Sequence, residues 1–127
     1  MPDRSKILIA EDNDFVRMQI CKFLQDEAYD IVEAVDGSEA IEIGKSERID
    51  LAIVDVRMEP VDGFGFIKAM RGIKSNVPVI LVTGDNNPDI LKTCAEWGVG
   101  AVLIKPVQKE RLVTAVSRSL QMAEKRA

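Results

Sequence analysis

Five short apolar runs alternate with longer segments in which apolar residues recur at helical spacing. Lys6 to Ala10 is the first run, broken off by Glu11-Asp12-Asn13-Asp14. Tyr29 to Ala34 is the second, and Asp30 and Glu33 interrupt it, which suits an edge strand better than a central one. Leu51 to Asp55, Pro78 to Thr83 and Ala101 to Ile104 are the others, and their unbroken apolar character predicts strands buried on both faces. Between the runs, Val16, Ile20, Phe23 and Leu24 mark a helix from about Asp14 to Glu27. Asp36 predicts a helix start, with Glu39 three positions later reaching back, and that helix runs to about Ser46. Asp62 caps a helix ended by Gly72, and Asn87-Pro88 opens one closed by Gly98. The last helix is expected from about Val107 to Glu124.

Strands alternating with helices imply right-handed crossovers and an α/β fold, a five-stranded parallel sheet covered by helices on both faces. With the polar second strand at an edge, the order 2-1-3-4-5 follows, a doubly wound, flavodoxin-like sheet whose switch point lies between strands 1 and 3. Ligands bind such sheets beyond the carboxyl ends of the strands at that point. Glu11 and Asp12 stand there after strand 1, Asp55 ends strand 3, Thr83 ends strand 4 and Lys105 follows strand 5. Asp55 is expected to be exposed at its strand tip.

Three carboxylates at one mouth repel one another, by on the order of 4 kcal/mol for two unit charges about 4 Å apart at an effective dielectric near 20. A divalent cation relieves this, and an all-oxygen set favours Mg²⁺. Asp55 is then placed to act as a nucleophile towards phosphorus. The Thr83 hydroxyl and the Lys105 ammonium suit the phosphoryl oxygens. Each residue alone also has an ordinary reading: a solvated strand end, a capping acid or a Lys-Pro turn.

Composition narrows the choice further. A chain of 127 residues with 46% hydrophobic and 30% charged residues is sized for one domain with a real core, residues 1–127. Its net charge of −4, with dispersed Lys and Arg, gives no nucleic-acid footprint and no polybasic membrane anchor. No run is long enough for a signal or membrane segment, so a cytoplasmic location is expected. Cys21 and Cys94 lack metal-ligand spacing and are expected to be buried free thiols. The absence of histidine removes imidazole catalysis and makes it impossible for the chain to be a histidine phosphodonor itself.

Together, Glu11-Asp12, Asp55, Met58, Asp62-Gly63, Thr83-Gly84 and Lys105-Pro106 resemble the motif set of the response-regulator receiver domains of two-component signalling, from Ile7 to about Leu120. The resemblance implies Mg²⁺ bound by Asp12, Asp55 and the backbone carbonyl of Arg57, with Glu11 acting through water. It implies a cis Lys105-Pro106 bond, a phosphohistidine donor on a sensor kinase or phosphotransfer protein, and a downstream output protein or domain. No turnover of an external substrate is expected, only self-phosphorylation and self-dephosphorylation. Arg57 and Asp85 fall at variable positions bordering the path of the water that removes the phosphoryl group. Two departures stand out: Glu59-Pro60 replaces the usual proline four residues after the acceptor, and Val102 replaces an aromatic switch residue. The competing readings are a flavin or nucleotide binder, which would want a phosphate loop where Glu-Asp-Asn-Asp stands. An aspartyl phosphatase is another, and a non-phosphorylated interaction module retaining the fold is the third.

Overall fold

A computed structural model describes residues 4–85 and 87–126, with side chains described to Ala123. The elements run β1 (Ser5–Ala10), α1 (Asp14–Leu24), β2 (Tyr29–Ala34), α2 (Gly37–Ser46), β3 (Leu51–Asp55), α3 (Gly63–Gly72), β4 (Val79–Thr83), α4 (Pro88–Glu96), β5 (Ala101–Ile104) and α5 (Lys109–Arg126). All strand pairs are parallel, in the order β2-β1-β3-β4-β5. The expected sheet and its polar edge strand β2 are therefore both present.

Successive side chains of a strand point to opposite faces, and the two layers of the core follow from this. Ile7, Ile9, Ile53, Ile80 and Val82 face α1 and α5, packing with Ile20, Leu24, Leu112 and Val116. Leu8, Ala10, Ala52, Val54 and Leu81 face the other way, against Ala40 of α2, Phe66 and Met70 of α3 and Cys94 of α4. Full burial of each Ile or Leu contributes about 1.5–3 kcal/mol of transfer free energy.

Three helix starts carry the caps expected of them: Asp36, Asp62 and Asn87 accept from the N–H groups of Glu39, Gly65 and Asp89. Two helix ends differ from expectation. Helix α1 stops at Leu24 rather than Glu27, because the polar residues after Leu24, its last buried side chain, have no core to face. Helix α5 begins at Lys109 rather than Val107, since Val107 turns inward as a buried residue of the α1/α5 layer. Cys94 is buried as expected, but Cys21 is only half-buried, on the flank of α1.

The loop after β3 is drawn tightly back over the strand end. Gly63 donates its N–H to the Val56 carbonyl (3.0 Å). A Cβ at Gly63 would lie 2.6 Å from the Asp55 carbonyl oxygen and 3.1 Å from Val56 Cα. Backbone atoms cannot rotate away as a side-chain tip can. Gly63→Ala is therefore expected to cost about 1–3 kcal/mol by overpacking, more than the helix propensity gained in a first turn. Thermal melts should show a fall of several degrees; an unchanged midpoint would mean the loop has room to move.

Candidate functional site

The register of the sheet assembles the site. Ala10 pairs with Val54, so the next residues, Glu11 and Asp55, stand level on adjacent strands. Asp55 pairs with Val82 and Thr83 pairs with Ile104, which puts Thr83 one step and Lys105 two steps further out. Side-chain alternation then sends Glu11, Asp55 and Lys105 towards the α1/α5 side and Thr83 towards the other. One oxygen from each of Glu11, Asp12 and Asp55 lies within 4.8 Å of the others. Such a set of oxygens is able to hold a hard divalent cation.

Asp55 is only 4% exposed and Glu11 1%, while Asp12 is exposed. Burial of Asp55 corrects the expectation of an exposed strand tip. The strand ends on both sides and the folded-back loop enclose it, and the Lys105 side chain reaches across it. Lys105 Nζ lies 2.9 Å from Glu11 Oε1 and 3.0 Å from Asp55 Oδ2, so one ammonium is shared by two buried carboxylates. The Nζ–Oε1 approach is a charge contact rather than a directed hydrogen bond, and Glu11 Oε1 is buried without a hydrogen-bond partner.

Burial, and then Asp55 alongside, push the Glu11 carboxyl up to about 7, against the opposing pull of Lys105. Burial alone would lower the Lys105 ammonium, but the carboxylates of Glu11 and Asp55 beside it outweigh this and raise it. Lys105 thus stays charged and supplies the compensation that a buried carboxylate pair requires.

The turn carrying the acidic pair is fixed at several points. Glu11 N–H donates to the Ala34 carbonyl (3.1 Å), and Glu11 Oε2 accepts from Asn13 N–H (3.2 Å). Asn13 caps α1 by accepting from Val16 N–H. Arg17 was not singled out by its sequence context, yet it donates to the Glu11 carbonyl (2.7 Å), to Asp14 (2.6 Å) and to Glu33 on β2 (3.1 Å). Only its i,i+3 relation to Asp14 was visible in the sequence.

On the other side, Arg57 N–H donates to Asp55 Oδ1 (3.1 Å), and the Arg57 guanidinium pairs with Asp85 at 2.9 Å. The two meet above the site because β3 and β4 are neighbours in the sheet. The Thr83 hydroxyl is buried, accepting from Asp85 N–H (3.0 Å) and donating to the Asp85 carbonyl (3.3 Å). Gly84 is exposed beside it, and Val102 is half-buried against the α2–α4 layer. The Lys105-Pro106 bond is cis, as the resemblance implied, and so is Glu59-Pro60.

Comparison with known proteins agrees with this geometry. Residues 7–117 match the family model described as the response regulator receiver domain. The chain is 34% identical over 112 residues, 87% of its length, to the transcriptional regulatory protein PdtaR of Mycobacterium tuberculosis, of which it spans 54%. It is 31% identical over 115 residues, 88% of its length, to the CAI-1 autoinducer sensor kinase/phosphatase CqsS of Vibrio cholerae, of which it spans 17%. The crystal structure of the chemotaxis protein CheY4 of Vibrio cholerae superposes with a TM-score of 0.86 at 30% identity, covering 92% of this chain and 99% of that one. The family-model match over most of the chain, on a fold with the sheet order described, places this chain in the response-regulator receiver domain family.

Proposed function

We propose that Asp55 accepts a phosphoryl group from a phosphohistidine on a sensor kinase or phosphotransfer protein, and that the domain relays this event to an output partner. The observation that carries the reading is the convergence of Glu11, Asp12 and Asp55 on one point under the Lys105 ammonium. In the transfer, the donor N–P bond breaks and an Asp55 Oδ–P bond forms, and the imidazole leaves with the electron pair and takes up a proton. The orphaned Glu11 Oε1 and the all-oxygen donor set fit Mg²⁺. Asp12, Asp55 and the Arg57 backbone carbonyl would hold it, with Glu11 acting through water. When bound, Mg²⁺ neutralises charge on the phosphoryl oxygens.

The chain's own residues do the rest. Lys105, already 3.0 Å from Asp55 Oδ2, moves with the acceptor onto a phosphoryl oxygen, its backbone set by Pro106. Thr83 exchanges its bonds to Asp85 for one to the phosphoryl group, and exposed Gly84 leaves room for that rotation. This links the site to the loop preceding α4. Val102, β-branched and packed, has too little reach to toggle as an aromatic would, so the response concentrates between Gly84 and Trp97. We read residues 1–127 as one such domain acting in the cytoplasm; among the described residues no helix is long and apolar enough to cross a membrane.

The test is the intact mass of the protein after exposure to a small acyl phosphate. A gain of one phosphoryl group is expected with Mg²⁺ and none in chelator. No gain with Mg²⁺ would leave the non-phosphorylated interaction module as the better reading.

The Arg57–Asp85 pair bears on how long the phosphoryl group lasts. It lies over the mouth of the site, where a hydrolytic water must pass, although an exposed pair is worth only about 0–1 kcal/mol. Arg57→Ala and Asp85→Ala should each speed loss of the phosphoryl group, by about 5-fold for 1 kcal/mol. The double variant should be no faster than the faster single one, because either change opens the lid. Equal decay in wild type and both single variants would show that the pair guards nothing.

A further inference from the structure

The phosphoryl transfer proposed above gives Arg17 no task, yet its side chain is only 13% exposed and all three of its guanidinium nitrogens donate. Nη2 bonds the Asp14 carboxylate (2.6 Å) and Nε the Glu33 carboxylate on β2 (3.1 Å). These two acids compensate a charge that burial would otherwise make costly. The bond from Nη1 does something different. It runs to a backbone oxygen, the Glu11 carbonyl (2.7 Å), and so fixes the peptide that joins Glu11 to Asp12.

Glu11 is thereby held at both of its backbone groups, since its N–H donates to the Ala34 carbonyl (3.1 Å). Both holds lead back to the end of β2. Ala34 is the last residue of that strand, and Glu33 stands just before it. Glu33 pairs in register with Ile9, so its side chain rises on the α1 face of the sheet, where Arg17 meets it. In the sequence this acid marks an edge strand; in the fold it is also an anchor. Asp12 follows Glu11 directly and is exposed, with little packing to place its side chain. The orientation of the Glu11–Asp12 peptide therefore decides where the Asp12 carboxylate stands beside those of Glu11 and Asp55.

We propose, on the reading of Glu11, Asp12 and Asp55 as a Mg²⁺ site, that Arg17 is its positioning residue and Glu33 the anchor of Arg17. The planar fork is what matters, because a lysine ammonium is a single point charge on a flexible stem and cannot serve three separate partners. Charge alone would act in the opposite sense. Removing a cation from beside a cation site favours Mg²⁺. An ion pair that merely supported the start of α1 would leave Mg²⁺ affinity unchanged or slightly tighter when cut.

Calorimetric titration of Mg²⁺ into the full chain tests this without any phosphoryl donor. Arg17→Ala is expected to weaken Mg²⁺ by about 10-fold, the low end for a group that orients a metal ligand, since the hold is on backbone. Arg17→Lys keeps the charge and should still bind Mg²⁺ more weakly than wild type. Glu33→Gln should weaken it by a smaller factor. Added to Arg17→Ala, it should weaken it no further, because Glu33 acts only through Arg17. Phosphoryl uptake lost by these variants at low Mg²⁺ should return when Mg²⁺ is saturating. Wild-type or tighter Mg²⁺ binding by Arg17→Lys would overturn the proposal, even if Arg17→Ala failed to fold. So would uptake that stays low at saturating Mg²⁺, since the damage would then extend beyond the placing of the cation. A wild type that binds no Mg²⁺ would remove the metal reading itself, and the role of Arg17 with it.

Discussion

Asp55→Asn is expected to abolish phosphoryl uptake while leaving the fold intact. The side chain is 4% exposed at the end of a fully buried strand, so any acceptor there must fit a space shaped for it. Asparagine has nearly the same shape, but its amide is a poor nucleophile towards phosphorus and brings no charge to a cation. The variant also leaves the Lys105 ammonium facing one buried carboxylate, Glu11, in place of two. Repulsion between Glu11 and Asp55 is relieved as one ion pair is lost, so the melting temperature should move by only a few degrees. Asp12→Ala is the companion variant, since Asp12 is the exposed member of the acidic cluster and its loss should remove most Mg²⁺ binding and most uptake. Intact mass reads both. Full uptake by Asp55→Asn would place the acceptor on another residue.

Most of the frame was legible because the features that set it are local. Runs such as Leu51 to Asp55 and Pro78 to Thr83 are apolar throughout, and only a strand covered on both faces buries every side chain. Asp30 and Glu33 gave away β2 as the edge. Asp36, Asp62 and Asn87-Pro88 announced their helices through short-range capping chemistry.

What the sequence hid is non-local. That Asp55 is buried depends on how far the tips of β1, β4 and β5 project beside it, which no period within β3 reveals. The reach of Lys105 to both carboxylates follows from cross-strand register summed over three neighbouring pairs. The hold of Arg17 on the Glu11 carbonyl depends on the turn after β1 closing back on α1, and its bond to Glu33 on where β2 lies. Residue types at the ends of β1, β3 and β5 were enough to name the side chains that converge. Their internal ion pairing needed coordinates.

That internal ion pairing should dominate the behaviour of Lys105→Ala. In the metal-free protein one ammonium, itself about a quarter exposed, serves two carboxylates that are almost wholly enclosed. Removing the cation from a buried pair leaves charge uncompensated, and such truncations cost about 3–5 kcal/mol. The residual exposure of Lys105 puts this one towards the lower end. Mg²⁺ brings two positive charges to the same carboxylates without the competing ammonium, so it should bind the variant at least as tightly as wild type. The expected result is a variant markedly less stable than wild type in chelator, with much of the deficit recovered on adding Mg²⁺. Thermal melts with and without the metal measure both terms. A deficit that Mg²⁺ leaves unchanged would show that Lys105 supports the fold through packing rather than through the charge it brings to Glu11 and Asp55. Loss of Mg²⁺ binding in the variant would instead make Lys105 an organiser of the metal site. Phosphoryl uptake separates the roles further: the variant should still accept the group on Asp55, while the answering change in Trp97 fluorescence, at the far end of α4, should be blunted because no ammonium follows the acceptor onto the phosphoryl oxygens.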